Sequence, residues 1–144
     1  MVSSLASPPD IIILTETWQS PDDPDLFSID GYCCYHNVQG AGRGVVVSVF
    51  CAAEFSADRV PNLCPSNDVM EVCTVRVGLG LDVIYVVEIY RPHIKTMMDF
   101  SVDLTNLLQN DTLAYRKIVL SAGDMNIDLL KQDDCGVRIH YSLG

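Results

Sequence analysis

Short apolar runs alternate along most of the chain with polar segments that contain proline or glycine. The run Ile11-Ile-Ile-Leu14 is continuous and rich in β-branched residues, and it predicts a strand buried on both faces. Residues 69–77 alternate between two faces, and Gly78-Leu-Gly80 after them indicates a hairpin turn. Further strands are predicted at residues 32–37, 45–50, 81–90 and 117–121.

A helical period is clear at residues 96–109. Thr96 and Asp99 resemble a capping box at its start. The residues expected on its apolar face are Phe100, Leu104, Leu107 and Leu108. A second helix is predicted to begin around residues 128–131. The sequence thus predicts six or seven strands and one clear helix. Hairpins alternate with one strand–helix–strand unit, which indicates an α/β protein with a mixed sheet.

The composition limits the class of protein. The chain has 144 residues, 49% of them apolar, and a mean hydropathy of +0.22, which suits one folded domain rather than a disordered segment. Residues 45–53 form the longest apolar stretch, too short to span a bilayer, and residues 1–9 lack the features of a signal peptide. Six cysteines without a C-x-x-C pair predict reduced structural thiols, with Cys51 and Cys73 in the core. We therefore expect an intracellular domain that is not secreted and does not bind a membrane.

The net charge opposes one class of partner. Nine Lys and Arg residues against nineteen Asp and Glu residues give a formal net charge of −10. Binding to nucleic acid requires clustered Lys and Arg side chains that replace counterions on the phosphates. The charge therefore counts against tight DNA binding by this chain alone, although acidic residues around a bound divalent cation would reverse the local potential.

Polar residues follow three of the predicted strands. In layered α/β folds, ligands bind beyond the carboxyl ends of strands, so such residues can converge on one site. The expected set is Glu16, Tyr90, Asp124 and Asn126. Carboxylate oxygens are preferred ligands of Mg²⁺. Phosphodiester hydrolysis requires such a cation together with a base that activates the attacking water. Each residue also has a structural interpretation: solvated strand-end acids, an Asx turn at Asp124, or a helix cap at Asn126.

Four strings in this order resemble the endonuclease/exonuclease/phosphatase superfamily. They are Pro9-Asp-Ile-Ile-Ile-Leu-Thr-Glu-Thr-Trp18, Gly42-Arg-Gly-Val-Val-Val-Ser-Val49, Ile89-Tyr-Arg-Pro92 and Gly123-Asp-Met-Asn-Ile-Asp-Leu-Leu130. They are most similar to the endonuclease domains of non-LTR, LINE-type retrotransposons. The resemblance spans about residues 9–130 and implies a single domain over 1–144. Its implied fold is an α/β (α+β) sandwich of two mixed β-sheets packed face to face, with flanking helices.

The resemblance also implies a role for each matching residue. Glu16 would be the Mg²⁺ ligand, with Mn²⁺ as the alternative ion. Asp124 would orient or deprotonate the attacking water, and Asn126 would bind the scissile phosphate. Tyr90 would contact the substrate phosphate or steady the leaving group. Arg91 would support the same region as a substrate-binding residue.

The chain also departs from the family pattern. Family members begin with a strand that carries a site Asn and end with a Ser-Asp-His segment, and no segment here matches either. We therefore expect a domain that is incomplete at both ends. Neither His140, in Arg138-Ile-His-Tyr141, nor His93, expected in an exposed loop, is a strong substitute for the catalytic His.

Three functions follow as competing hypotheses. The first is Mg²⁺-dependent phosphodiester hydrolysis, as a DNA endonuclease of the retrotransposon type within a parent reverse-transcriptase polyprotein, acting in the nucleus. The second is an inactive fragment of such an element. The third is a binding module that keeps the fold without the chemistry. Retained Glu16, Asp124 and Asn126 weigh against the third.

Overall fold

A computed structural model describes residues 7–17, 28–37, 47–93, 95–114 and 119–127. These residues form two β-sheets and two short α-helices, and most of the regular structure is strand. The strands are β1 (Ile11–Leu14), β2 (Tyr32–Asn37), β3 (Val47–Ala52), β4 (Ser56–Arg59), β5 (Glu71–Leu79), β6 (Asp82–Tyr90) and β7 (Val119–Ala122). The helices are α1 (Met97–Leu108) and α2 (Asp111–Ala114), and Pro61–Leu63 forms one 3-10 turn.

The strands divide into a three-stranded and a four-stranded sheet. The first has the order β1-β3-β2 with antiparallel pairs, and the second has the order β4-β5-β6-β7. In the second sheet β6 pairs with β7 in parallel while its other pairs are antiparallel. The predicted α/β arrangement of two sheets with flanking helices is confirmed.

The four-stranded sheet has a separate hydrophobic core on each face. Alternate residues of β5 and β6 pack against the three-stranded sheet, and we call this cluster the inter-sheet core. Its buried members are Val47, Val49, Cys51, Cys73, Val75, Val77, Ile84, Val86 and Tyr90. The intervening residues pack with the helices in the helix-side core, which includes Val72, Ile89, Phe100 and Leu107. A sheet covered on both faces explains why both strands are so apolar.

The strand predictions need three corrections. All four residues of β1 are only half-buried, because the strand lies at the end of its sheet, so burial on both faces was wrong. Strand β4 was not predicted, since its sequence Ser-Ala-Asp-Arg is mostly polar and it pairs with β5 at an edge. Strand β5 begins at Glu71 rather than at residue 69, because the Asn67 side chain accepts hydrogen bonds from the N–H groups of Val69 and Met70 in a turn.

Helix α1 starts where the capping pattern predicts. The Thr96 hydroxyl accepts a hydrogen bond from the Asp99 N–H at 3.2 Å and donates one to the Asp99 carboxylate at 2.7 Å. Phe100 and Leu107 are buried as expected, whereas Leu108 is 40% exposed and does not belong to the packed face. The predicted helix at 128–131, His140 and residues 42–45 lie outside the described residues.

Two further expectations concern thiols and membranes. The five cysteines in the described segments are free, and Cys51 and Cys73 lie in the inter-sheet core as predicted. Within the same segments, no helix has the length and apolar character needed to cross a bilayer.

Candidate functional site

The candidate site begins with a contact between the carboxyl ends of β1 and β6. The hydroxyl of Tyr90, the last residue of β6, donates a hydrogen bond to Glu16 Oε1 at 3.0 Å. Glu16 follows β1, is exposed, and has a left-handed backbone with φ 53°. Two predicted site residues that are 74 positions apart are therefore in direct contact.

The environment of Tyr90 keeps its phenol protonated. Burial raises the pKa of Tyr90 to about 12, and the hydrogen bond to Glu16 and the negative charges of Glu16, Asp124 and Glu71 act in the same direction. A phenol with this pKa is a hydrogen-bond donor throughout the neutral range. Tyr90 can therefore hold Glu16 or donate to an anionic ligand.

Parallel pairing of β6 with β7 brings the second part of the site alongside. The register aligns Glu88 with Ala122, so the residues after both strands lie at the same edge of the sheet. The Arg91 N–H donates to the Asp124 carbonyl at 2.9 Å. Gly123, with φ 135°, lies so close to Ile89 that a Cβ there would overlap the Ile89 backbone. Glycine, which has no Cβ, is therefore required at this close backbone approach.

Asp124 and Asn126 form a local turn with exposed and half-buried side chains, respectively. The Asp124 Oδ1 accepts a hydrogen bond from the Asn126 N–H at 2.9 Å, which is the Asx turn considered in the sequence. Asn126 has φ 48° and donates from Nδ2 to the Arg91 carbonyl at 2.7 Å. Asparagine is among the few residues that adopt this left-handed backbone readily.

The Arg91 guanidinium is engaged with backbone carbonyls. Its Nη1 donates to the Asn126 carbonyl and its Nη2 to the Lys95 carbonyl, both at 3.0 Å. The guanidinium carbon also lies 5.8 Å from the centre of the Phe100 ring. Arg91 is only 7% exposed. It therefore ties the 123–127 segment to the start of α1, and its predicted contact with substrate stays a prediction.

The chemistry of this edge suits a weakly coordinated cation better than an enclosed one. Among the described residues, no three His, Cys, Asp or Glu side chains are grouped to hold a metal ion. Mg²⁺ commonly uses one or two protein carboxylates and keeps several waters. Glu16 is exposed and fits that requirement. Asp124 interacts with Tyr90 only electrostatically, through its effect on the pKa of the phenol.

Sequence reasoning missed two buried carboxyl groups beside the site. Glu71 is 2% exposed and lies opposite Tyr90 on β5, and Glu88 is 0% exposed and lies opposite Cys73. Glu71 Oε2 and both Glu88 carboxyl oxygens have no hydrogen-bond partner among the described residues. A glutamate at an inward position of an apolar strand was the available signal.

Burial changes the ionisation of both groups. It raises the pKa of Glu71 to about 7, and burial together with the Glu71 charge raises the pKa of Glu88 to about 9. Both carboxyl groups therefore favour the neutral form far above the usual range for glutamate, because the uncharged acid is cheaper to bury.

His93 is exposed, as its loop position predicted. No protein-family model matches the chain, and a search of curated proteins finds no similar one.

Proposed function

We propose that this domain hydrolyses phosphodiesters with Mg²⁺, with DNA as the substrate, as an endonuclease of the retrotransposon type. The observation that carries the proposal is the hydrogen bond between Tyr90 and Glu16 beside the Asp124 turn. It joins a residue that follows β1 of one sheet to the last residue of β6 in the other sheet. The four ordered sequence strings resemble a family in which residues at these positions cleave DNA.

The proposed roles use donors and acceptors that remain available. Asp124 is exposed and would accept a proton from the attacking water as that water bonds to phosphorus. The P–O bond to the leaving oxygen then breaks, and that oxygen takes a proton from bulk water. Asn126 uses one Nδ2 hydrogen on the Arg91 carbonyl, which leaves the second for a phosphate oxygen. When bound at Glu16, Mg²⁺ would neutralise charge that develops on the phosphate. Arg91 would act by holding the 123–127 segment in place.

A cation-binding module without catalysis is the second candidate. It is favoured by the net charge of −10, which opposes tight binding to DNA phosphates. This candidate function requires that Mg²⁺ binds at Glu16 and that no cleavage occurs. It fits a sequence in which no Ser-Asp-His segment supplies a catalytic His.

Two assays on the full chain separate these functions. The first follows thermal unfolding by the fluorescence of Trp18, the only tryptophan, with and without Mg²⁺. The second measures nicking of supercoiled plasmid DNA. The variants are Glu16→Gln, Asp124→Asn and the control Asp82→Asn, an exposed acid at the other end of β6 from Tyr90.

Endonuclease function predicts Mg²⁺-dependent nicking by the parent and by Asp82→Asn. Asp124→Asn should lose at least about 100-fold of that rate, the usual contribution of one acid–base group. Glu16→Gln should lose the Mg²⁺-dependent nicking because it removes the carboxylate ligand of the cation. Stabilisation by Mg²⁺ that Glu16→Gln abolishes, without nicking, would favour the binding module. An unfolding midpoint that Mg²⁺ does not change, together with no nicking, would rule out both functions for this chain.

A further inference from the structure

Glu71 and Glu88 are side by side on the face of the four-stranded sheet that contacts the three-stranded sheet. Glu71 pairs with Tyr90 across the β5–β6 ladder, and Glu88 pairs with Cys73 two positions along. Positions of the same parity on these strands, including Val75 and Val86, form the inter-sheet core. The two carboxyl groups are thus diagonal neighbours inside that core, at the end that holds the candidate site.

No described cation compensates either carboxyl group. Arg59, at the end of β4, donates to Asn37 Oδ1 at 2.8 Å and acts electrostatically on Cys64 and Cys73. Among the described residues, the other ionisable groups that interact with the pair are two thiols and a phenol: Cys34 and Cys73 with Glu88, and Tyr90 with Glu71. If they ionised, Glu71 Oε2 and both Glu88 oxygens would carry charge without a hydrogen-bond partner or a counter-ion among the described residues, which is the costly state of a buried acid.

We propose that Glu71 and Glu88 form a pH-sensitive joint between the two sheets, which holds the Tyr90 end of β6 in place while both carboxyl groups are protonated and loosens it when they ionise. The protonated acids are neutral and pack with the surrounding valines. Ionisation places two like charges in a low-dielectric core and draws water between the sheets at this end. The Tyr90–Glu16 contact lies at the same end, so the joint couples pH to the geometry of the candidate site.

The sign of the effect follows from linkage. Both folded-state pKa values lie above the ordinary glutamate value, so the folded state binds more protons than the unfolded state. Stability is then greatest below the unfolded pKa and falls as pH rises through about 7 for Glu71 and about 9 for Glu88. Most carboxylates in proteins act in the opposite direction.

The test is thermal unfolding of the full chain between about pH 5 and pH 9. The midpoint of the parent should fall by about 5 °C or more across this range. Glu88→Gln and Glu71→Gln should each flatten the fall, and the double variant most of all. Glu54→Gln, an exposed glutamate outside both cores, should fall as the parent does. A flat profile for the parent, or variants that fall in parallel with it, would overturn the proposal.

A second measurement does not depend on how well the variants fold. The chain has four glutamates, Glu16, Glu54, Glu71 and Glu88, so their side-chain carboxyl carbons can be followed individually by ¹³C NMR titration. Two of them should titrate well above the ordinary value of about 4.3. Amide hydrogen exchange should also lose protection first at Val72 and Ile89 and later at Val77 and Ile84, near the hairpin. Ordinary titration of all four glutamates would refute the joint, whether or not the domain cleaves DNA.

Discussion

At the scale of single residues, the candidate site is marked by unusual backbone conformations. Glu16, Gly123 and Asn126 all have positive φ, and they are the residues that follow β1 and β7. A non-glycine residue in this region costs about 1–2 kcal/mol, so the surrounding contacts must offset that cost. For Asn126 the offset is visible in its bond to the Arg91 carbonyl. Two non-glycine residues with positive φ, one after β1 and one after β7, support the hypothesis of a functional edge there.

Substitution of Gly123 tests this conformation directly. Gly123→Ala should destabilise the fold by about 2–4 kcal/mol, because the new Cβ would overlap the Ile89 backbone at a φ that alanine disfavours. Gly78→Ala is the matched control, since Gly78 lies within β5, has no positive φ and meets only ordinary contacts. Its effect should stay below about 1 kcal/mol. Urea denaturation measures both, and equal effects would contradict the close approach at Gly123.

At the scale of elements, Arg91 joins three of them through one side chain and its backbone. Its backbone N–H and carbonyl bind the 123–127 segment, and its guanidinium binds Asn126 and the residue before the α1 cap. The ring of Phe100, in the first turn of α1, covers the guanidinium. Hydrogen bonds of Arg91 therefore fix the relative positions of β6, the turn after β7 and helix α1, in addition to apolar packing.

Loss of the guanidinium should be costly for this reason. Arg91→Ala leaves the Asn126 and Lys95 carbonyls without their donor and should cost about 2–3 kcal/mol of unfolding free energy. Arg91→Lys should recover only part of it, because an ammonium cannot reach both carbonyls with the planar fork. Arg76→Ala removes an exposed arginine 3.9 Å from Asp58 and should cost less than about 1 kcal/mol. Denaturation curves in which Arg76→Ala lowers the unfolding free energy as much as Arg91→Ala would argue against this structural role of Arg91.

At the scale of the whole molecule, the four-stranded sheet is shared by both hydrophobic cores. Residues of opposite parity on β5 and β6 contribute to the inter-sheet core and to the helix-side core. Neither core can lose its packing without exposing one face of the same two strands. The described residues should therefore unfold in a single cooperative transition.

Paired substitutions on α1 test that cooperativity. Leu107→Ala, at a 7% exposed position of the helix-side core, should destabilise the domain by about 2–4 kcal/mol. Val102→Ala, on the same helix at a 54% exposed position, should change stability by less than about 0.5 kcal/mol. Tryptophan fluorescence and far-ultraviolet circular dichroism should report the same midpoint for each variant. Two separate midpoints would show that the cores unfold independently.

The elements that the sequence predicted correctly are those whose signal is local. Strand β2 and helix α1 agree with the predicted bounds to within a residue, because side-chain period and the Thr96 cap act over a few neighbouring positions. The candidate site residues were selected from the chain alone because they end or follow predicted strands, and their catalytic roles stay predictions. Strand β4 was missed because a short polar edge strand is defined by its partner, not by its own composition.

The sequence by itself therefore determined most of the strands and helix α1, but not β4 or α2, and it determined which polar residues stand at the strand ends. Only the tertiary structure decided that Tyr90 meets Glu16, that the Arg91 guanidinium faces backbone carbonyls, and that Glu71 and Glu88 share a core. The reason is physical: these contacts join residues far apart in the chain, and their geometry depends on how two sheets pack. Desolvation of a carboxyl group is likewise a property of its surroundings, which no local pattern of residues specifies.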